Sequence, residues 1–154
     1  MSNISIASLK LISRERLSAF ILSHLHPSSA PLDTSPSDNP NLAIIDVRDS
    51  DHVGGHIKGS QWVPFPTLDY RIPELVRTFR DKKFLIFHCA LSQERGPSAA
   101  LRYMRERERM LGGHGKDEEQ EVFVLDRGFV GWQEIYGEDA RLTEAYAKDI
   151  WLDY

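Results

Sequence analysis

Residues 83–104 read KFLIFHCALSQERGPSAALRYM, and this stretch decides the fold prediction. It opens at 83–88 with an apolar run that ends in a histidine, as expected of a buried parallel strand. Residues 97–110 carry apolar side chains at helical spacing and begin with a proline, which is favoured in the first turn of a helix. A strand that passes through a short turn into a helix is one unit of an α/β fold.

The flanking sequence repeats this alternation of strands and helices. It predicts a single α/β domain over 1–154, with an open, mainly parallel sheet and helices on both faces. The proline-rich stretch 27–41 lacks core-forming residues and is expected to be a mobile loop. The predicted strands are 8–13, 42–47, 61–63, 83–88 and 121–125. The predicted helices are one after Ser13, then 67–80 (beginning near Pro73), 97–110, 129–136 and 139–150.

Composition excludes several classes of function. A net charge of −4 gives no global field that would attract nucleic acid. The chain has no apolar run long enough to span a membrane, and its first residues do not resemble a secretory signal. With one cysteine no internal disulfide can form, and a lone thiol fits a reducing compartment. A cytoplasmic or nuclear location is therefore expected.

The predicted strand-to-helix turn carries the candidate chemistry, because Cys89 and Arg95 bracket five residues within it. Such a turn can point successive backbone N–H groups inward, and the following helix adds the partial positive charge of its N-terminus. Together these groups can hold a tetrahedral anion and favour an ionised Cys89 as nucleophile, while the guanidinium of Arg95 grips two oxygens. The alternative is that Cys89 is a buried small hydrophobe. The predicted anion-binding loop consists of Ala90, Leu91, Ser92, Gln93, Glu94 and Arg95.

Three segments resemble a known family. HCALSQERGP at 88–97 resembles the active-site loop of the cell-division-cycle dual-specificity phosphatases. IIDVRDSDHVGGHIKGSQWVP at 44–64 is similar to a rhodanese-domain segment with Asp-x-Arg and a Gly-His-Ile-x-Gly turn. VFVLDRGFVGWQ at 122–133 resembles the rhodanese closing segment. The small size is similar to the single-domain fungal members, which include the itsy-bitsy phosphatase type and the fungal arsenate reductase.

The resemblance implies roles for particular residues. Cys89 would be the nucleophile and Arg95 the oxyanion clamp, and Glu94 would either donate a proton to the leaving group or fix the loop. Ser92 would either hydrogen-bond the thiolate or pack the loop. This chain departs from the family at Ala90, where the cell-cycle phosphatases carry an acidic residue.

Four functions remain open at this stage. The first is a phosphatase that hydrolyses phosphate monoesters through a phosphocysteine, acting on a phosphorylated substrate or small oxyanion. The second is arsenate reduction, which would require glutathione or another external thiol because the chain has no second cysteine. The third is sulfur transfer, which in rhodaneses generally uses a shorter loop. The fourth, a non-enzymatic module, is disfavoured because both Cys89 and Arg95 are present.

The remaining polar candidates are interpreted as structural support. Asp46 and Arg48 follow a predicted buried strand, and a charged pair there more often fixes loops than reacts. His88 precedes the nucleophile and is expected to anchor the strand end by a hydrogen bond. The histidines show no metal-ligand spacing, so neither a metal nor a cofactor is predicted.

Overall fold

The computed structural model describes residues 4–23, 41–112 and 120–152. The predicted mobile loop 27–41 lies outside these residues except for Asn41. The strands are β1 (Lys10–Ile12), β2 (Leu42–Asp46), β3 (His56–Ile57), β4 (Gln61–Trp62), β5 (Phe84–His88), β6 (Glu121–Leu125) and β7 (Thr143–Glu144). The α-helices are α1 (Arg14–Ser23), α2 (Leu68–Phe79), α3 (Arg95–Leu111) and α4 (Gly128–Tyr136).

The main sheet has five strands in the order β1-β6-β5-β2-β4, and all of its pairings are parallel. β3 and β7 form a separate antiparallel pair. Parallel strands are usually buried on both faces, and β2 is buried along its whole length. The predicted α/β class with a mainly parallel sheet is confirmed.

Side chains alternate between two cores, one on each face of the sheet. Ile45 and Phe87 belong to the core that also contains residues of α2 and α3. Ile44 and Ile86 belong to the core that contains Leu17 of α1 together with residues of α4. The sheet is therefore covered by helices on both faces, as predicted.

Two predicted helices differ from those observed. α2 begins at Leu68, directly after a 3₁₀ turn, and Pro73 lies inside it rather than at its start. The prediction of a helix over 139–150 is wrong, because the segment contains β7 and a short 3₁₀ helix, Lys148–Trp151. Tertiary contacts decide this segment: Thr143 pairs with Ile57 in the β3–β7 bridge, and its hydroxyl accepts a 3.0 Å hydrogen bond from Trp132.

The sheet topology positions the candidate site. β2 and β5 are adjacent parallel strands, with Asp46 directly opposite His88 in the ladder. The loops that follow these strands therefore leave the same edge of the sheet, where ligands of open α/β folds bind. Among the described residues, no helix combines the length and apolar character needed to cross a bilayer.

Candidate active site

The Cys89–Arg95 loop closes around the sulfur of Cys89, and Cys89 is only 3% exposed. The backbone N–H of Ser92 donates to Sγ at 3.2 Å, and that of Gly96 donates at 3.4 Å. The hydroxyl of Ser92 accepts a 3.5 Å hydrogen bond from the N–H of Cys89. Ser92 has a φ of 57°, which turns the chain back towards the sulfur. Two amides thus converge on one sulfur atom, and backbone N–H groups arranged in this way can receive a negatively charged group.

The 17-residue helix α3 begins at Arg95, so its N-terminus faces the sulfur. Gly96 makes this approach possible, because a Cβ there would lie 3.3 Å from the Cα of His88 and 3.4 Å from the backbone N of Cys89. Glu94 is the N-cap, and its carbonyl accepts the N–H of Ser98 at 2.9 Å. The helix therefore contributes both its partial charge and the Gly96 amide to the same point.

Helix α4 holds the loop from behind. The N–H groups of Phe129 and Val130 donate to the carbonyls of Cys89 and Ala90 at 3.0 and 2.9 Å. Gly128 precedes them with a φ of 59°, and a Cβ on it would lie 2.4 Å from the carbonyl oxygen of Ala90. No function was predicted for Gly128 from the sequence, although its position between a predicted strand and a predicted helix was a usable signal.

The guanidinium of Arg95 is held by two carboxylates. Its Nη1 donates to Asp51 at 2.8 Å and to Asp49 at 3.2 Å, and its Nη2 donates to Asp51 at 2.6 Å. Hydrogen bonds from Arg95 hold the pKa of Asp51 far below its ordinary value, and the same bonds raise the pKa of Arg95. Neither aspartate was predicted from the sequence to belong to the site. They follow β2 as Arg95 follows β5, so topology brings the two loops together.

A buried ionic cluster lies behind the nucleophile. Nε and Nη2 of Arg48 donate to the carboxylate of Asp46 at 2.7–3.1 Å, and both side chains are fully buried. Nη2 of Arg48 also donates to the carbonyl of Gly55 at 2.8 Å, and its guanidinium lies 4.4 Å above the ring of Phe129. Burial alone would raise the pKa of Asp46, but the hydrogen bonds and the positive charge of Arg48 outweigh it and lower the pKa.

His88 is fully buried between this cluster and Cys89. Its Nδ1 lies 3.2 Å from the carbonyl oxygen of Cys89, and its Nε2 lies 3.9 Å from the carboxylate of Asp46. Burial lowers the pKa of His88, and the nearby carboxylate of Asp46 only partly offsets this. A neutral ring that donates from Nδ1 to the carbonyl of Cys89 fits these surroundings.

The other loop residues lie at the surface. Gln93 and Glu94 are exposed, Leu91 is 47% exposed, and Ala90 is half-buried. The side chain of Glu94 is exposed and makes no capping hydrogen bond. Among the residues that the structure describes, no cluster of histidine, cysteine and acidic side chains is suited to hold a metal ion.

Comparison with known proteins identifies the family. The model of the rhodanese-like domain matches residues 33–135. The chain belongs to the rhodanese-like family. The structure of Ygr203w, a yeast protein tyrosine phosphatase of the rhodanese family, superposes on this rhodanese-like chain with a TM-score of 0.75 and 30% identity. The match covers 96% of this chain and 99% of the yeast chain.

Curated relatives of this rhodanese-like protein carry two kinds of name. It is 43% identical over 98 residues to the dual specificity phosphatase Cdc25 of Arabidopsis thaliana, a match that spans 61% of this chain and 63% of that protein. It is 40% identical over 126 residues to arsenate reductase 2.1 of Oryza sativa subsp. japonica, a match that spans 79% of this chain and 74% of that protein. The predicted resemblance to cell-division-cycle phosphatases and arsenate reductases is confirmed.

Proposed function

We propose that this chain is a cysteine-dependent phosphatase that hydrolyses phosphate monoesters through a phosphocysteine at Cys89. The observation that supports this most directly is the pair of amides, from Ser92 and Gly96, that converge on the sulfur at the start of α3. The same cradle that stabilises a thiolate can bind the equatorial oxygens of a phosphoryl group attacked in line. The relatives named as phosphatases fit this reaction.

The chemistry proceeds in two steps. The thiolate of Cys89 attacks phosphorus, and the bond to the alcohol or phenol oxygen breaks as that oxygen takes up a proton. Water then attacks the phosphocysteine, releases inorganic phosphate and regenerates the thiolate. Arg95 and the loop amides bind the negative oxygens in both steps. The reaction uses only side chains and backbone amides of this chain, so it requires no cofactor.

We assign supporting roles to the groups around the loop. Glu94 is the proposed proton donor to the leaving group, because it lies in the loop next to Arg95 and its exposed side chain makes no capping hydrogen bond. Asp46, Arg48 and His88 are proposed to fix the backbone behind Cys89 rather than to react, since all three are fully buried. The cytoplasm or nucleus is the proposed location, with a phosphorylated substrate as partner.

The test is hydrolysis of a small aryl phosphate by the purified protein. Cys89→Ser should reduce the rate to background, because the hydroxyl of serine is a far weaker nucleophile than a thiolate. Circular dichroism of the variant should match that of the wild-type protein. Wild-type protein that shows no Cys89-dependent hydrolysis would refute the phosphatase assignment.

Glu94→Gln tests the proposed acid. It should slow the hydrolysis of an alkyl phosphate, whose leaving oxygen needs a proton, by a factor of about 100. A nitrophenyl phosphate, whose leaving group needs no proton, should be affected much less. Equal loss with both substrates would contradict the assignment of Glu94.

Arsenate reduction is the second candidate, favoured by the match to arsenate reductase 2.1 over most of the chain. Arsenate has the tetrahedral shape and charge of phosphate, so the same loop would bind it. The thiolate of Cys89 would displace one oxygen of arsenate as water and form an arsenic–sulfur bond. Two molecules of external glutathione would then supply two electrons, be oxidised to their disulfide, and release arsenite and the thiolate of Cys89. Glutathione-dependent loss of arsenate, without hydrolysis of an aryl phosphate, would favour this function over the first.

A further inference from the structure

The guanidinium of Arg95 is engaged along one edge and open along the other. An arginine has five N–H hydrogens, and the carboxylates of Asp51 and Asp49 receive three of them, two from Nη1 and one from Nη2. In the described part of the chain, Nε and the remaining Nη2 hydrogen have no protein acceptor. These two hydrogens lie side by side on one edge of the planar group, a fork that matches two oxygens of a tetrahedral anion.

We propose that Asp51, assisted by Asp49, is a positioning residue that holds Arg95 by its far edge and presents the Nε–Nη2 edge to the oxyanion bound above Cys89. This inference rests on the proposed function and names a further residue of that site. A free arginine side chain would have to lose rotamer freedom each time an anion binds. The side chain of Arg95 is already held by Asp51, so it has lost that freedom on folding.

The aspartates are themselves fixed by local hydrogen bonds. The backbone N–H of Asp49 donates to the carboxylate of Asp51 at 3.0 Å, and the carboxylate of Asp49 accepts the N–H of Ser50 at 2.7 Å. The N–H of His52 donates to the carbonyl of Asp49 at 3.1 Å. Their loop follows directly from the buried Asp46–Arg48 pair. The loop therefore holds both carboxylates in fixed positions beside Arg95.

If Asp51 competes with the anion for Arg95, the predicted change in anion affinity has the opposite sign. Two negative charges beside the site also repel an incoming anion, and Asp51 could act as a competitor that the anion must displace from Arg95. If Asp51 positions Arg95, removing its charge weakens anion binding. If Asp51 competes with the anion, removing its charge tightens binding. The sign of the change in affinity therefore separates the two roles.

The experiment measures how well inorganic phosphate protects Cys89 from alkylation by iodoacetamide. In Asp51→Asn, half-protection of Cys89 should require about tenfold more phosphate than in the wild-type protein, since the negative charge that strengthens the hydrogen bonds from Arg95 is lost. Asp51→Glu, which restores a carboxylate, should recover most of that loss. Asp69→Asn is the matched control, because Asp69 pairs with Arg102 at 3.0 Å on an exposed surface outside the loop, and it should leave protection unchanged.

A double variant shows whether the effect passes through Arg95. In an Arg95→Ala background, Asp51→Asn should cause no further loss of protection, whereas a general structural effect would weaken both backgrounds alike. The positioning role is overturned by tighter phosphate binding in Asp51→Asn, by no change in binding, by an equal loss in the Arg95→Ala background, or by Asp51→Glu being as poor as Asp51→Asn.

Parallel assays separate this inference from the proposed function. Wild-type protein that phosphate protects but that hydrolyses no aryl phosphate would refute the phosphatase assignment alone. Hydrolysis by wild-type protein with normal phosphate protection in Asp51→Asn would refute the positioning role alone. Failure of phosphate to protect Cys89 in the wild-type protein would refute the positioning role, and absence of aryl phosphate hydrolysis as well would refute both.

Discussion

Substituting Gly128 by alanine probes the contact between α4 and the nucleophile loop. The new Cβ would lie 2.4 Å from the carbonyl oxygen of Ala90 and 2.6 Å from that of Cys89. Relief of this contact requires the backbone to move by about 1 Å. The movement would break or stretch the hydrogen bonds that Phe129 and Val130 donate to the same two carbonyls.

The expected loss of stability has two parts. An alanine at the positive φ of Gly128 costs about 1–2 kcal/mol. The two backbone hydrogen bonds contribute about 0.5–1.5 kcal/mol each, so the free energy of unfolding should fall by about 2–5 kcal/mol in total. A displacement of about 1 Å at the nucleophile should also lower kcat/KM for an aryl phosphate by a factor of about 100.

Gly112 offers a matched control, because its φ is also positive, at 54°, yet a Cβ there would meet no atom within 4 Å. Gly112→Ala should therefore lose only the conformational part, about 1–3 kcal/mol at its φ of 54° and ψ of −139°, and keep its activity. Urea denaturation followed by circular dichroism measures both variants. If Gly128→Ala were no less stable and no less active than Gly112→Ala, the close approach to the loop would have no energetic importance.

Two further predictions concern the buried cluster. Asp46→Asn should lower the free energy of unfolding by about 3–5 kcal/mol, because Arg48 would remain buried without a counter-ion. Asp139→Asn, which breaks an exposed pair with Arg141, should change the urea midpoint little, and similar losses in the two variants would contradict the argument. Burial lowers the pKa of His88 in the folded state below its ordinary value of about 6.5. The contribution of neutral His88 to stability is therefore complete above about pH 6.5, and it is lost as the pH falls towards the lowered pKa. His88→Gln should therefore make stability less dependent on pH between about 7 and 5, and urea midpoints that keep the wild-type dependence would refute this.

The local parts of the site were predictable from the sequence. The apolar run of β5, the Gly-Pro pair and the helical spacing after it all lie within 83–104, and each acts over a few residues. They were enough to place Cys89 between a strand and a helix. The segment 139–150 was wrongly predicted to be a helix. Its observed structure depends on Ile57 and Trp132, which are far away in the sequence.

The partners of Arg95 could not be predicted from local pattern. Asp49 and Asp51 precede Arg95 by 46 and 44 residues, and nothing in the spacing of the three residues indicates an ion pair. The order of β2 and β5 in the sheet makes their following loops neighbours, but strand order is a property of the whole fold. Which edge of the guanidinium is engaged depends on side-chain geometry that no sequence pattern encodes.

Hydrogen bonds from α4 fix the first two carbonyls of the loop. Each peptide unit of a tight turn directs its N–H and C=O in roughly opposite directions. The carbonyl of Cys89 is bound by the N–H of Phe129 and approached by Nδ1 of His88, and the carbonyl of Ala90 is bound by the N–H of Val130. With these carbonyls directed towards α4, the N–H groups of Ala90 and Leu91, which share their peptide units, point away from α4. The conformation of the loop at Cys89 therefore depends on contacts with α4 and His88 as well as on the residues of the loop itself.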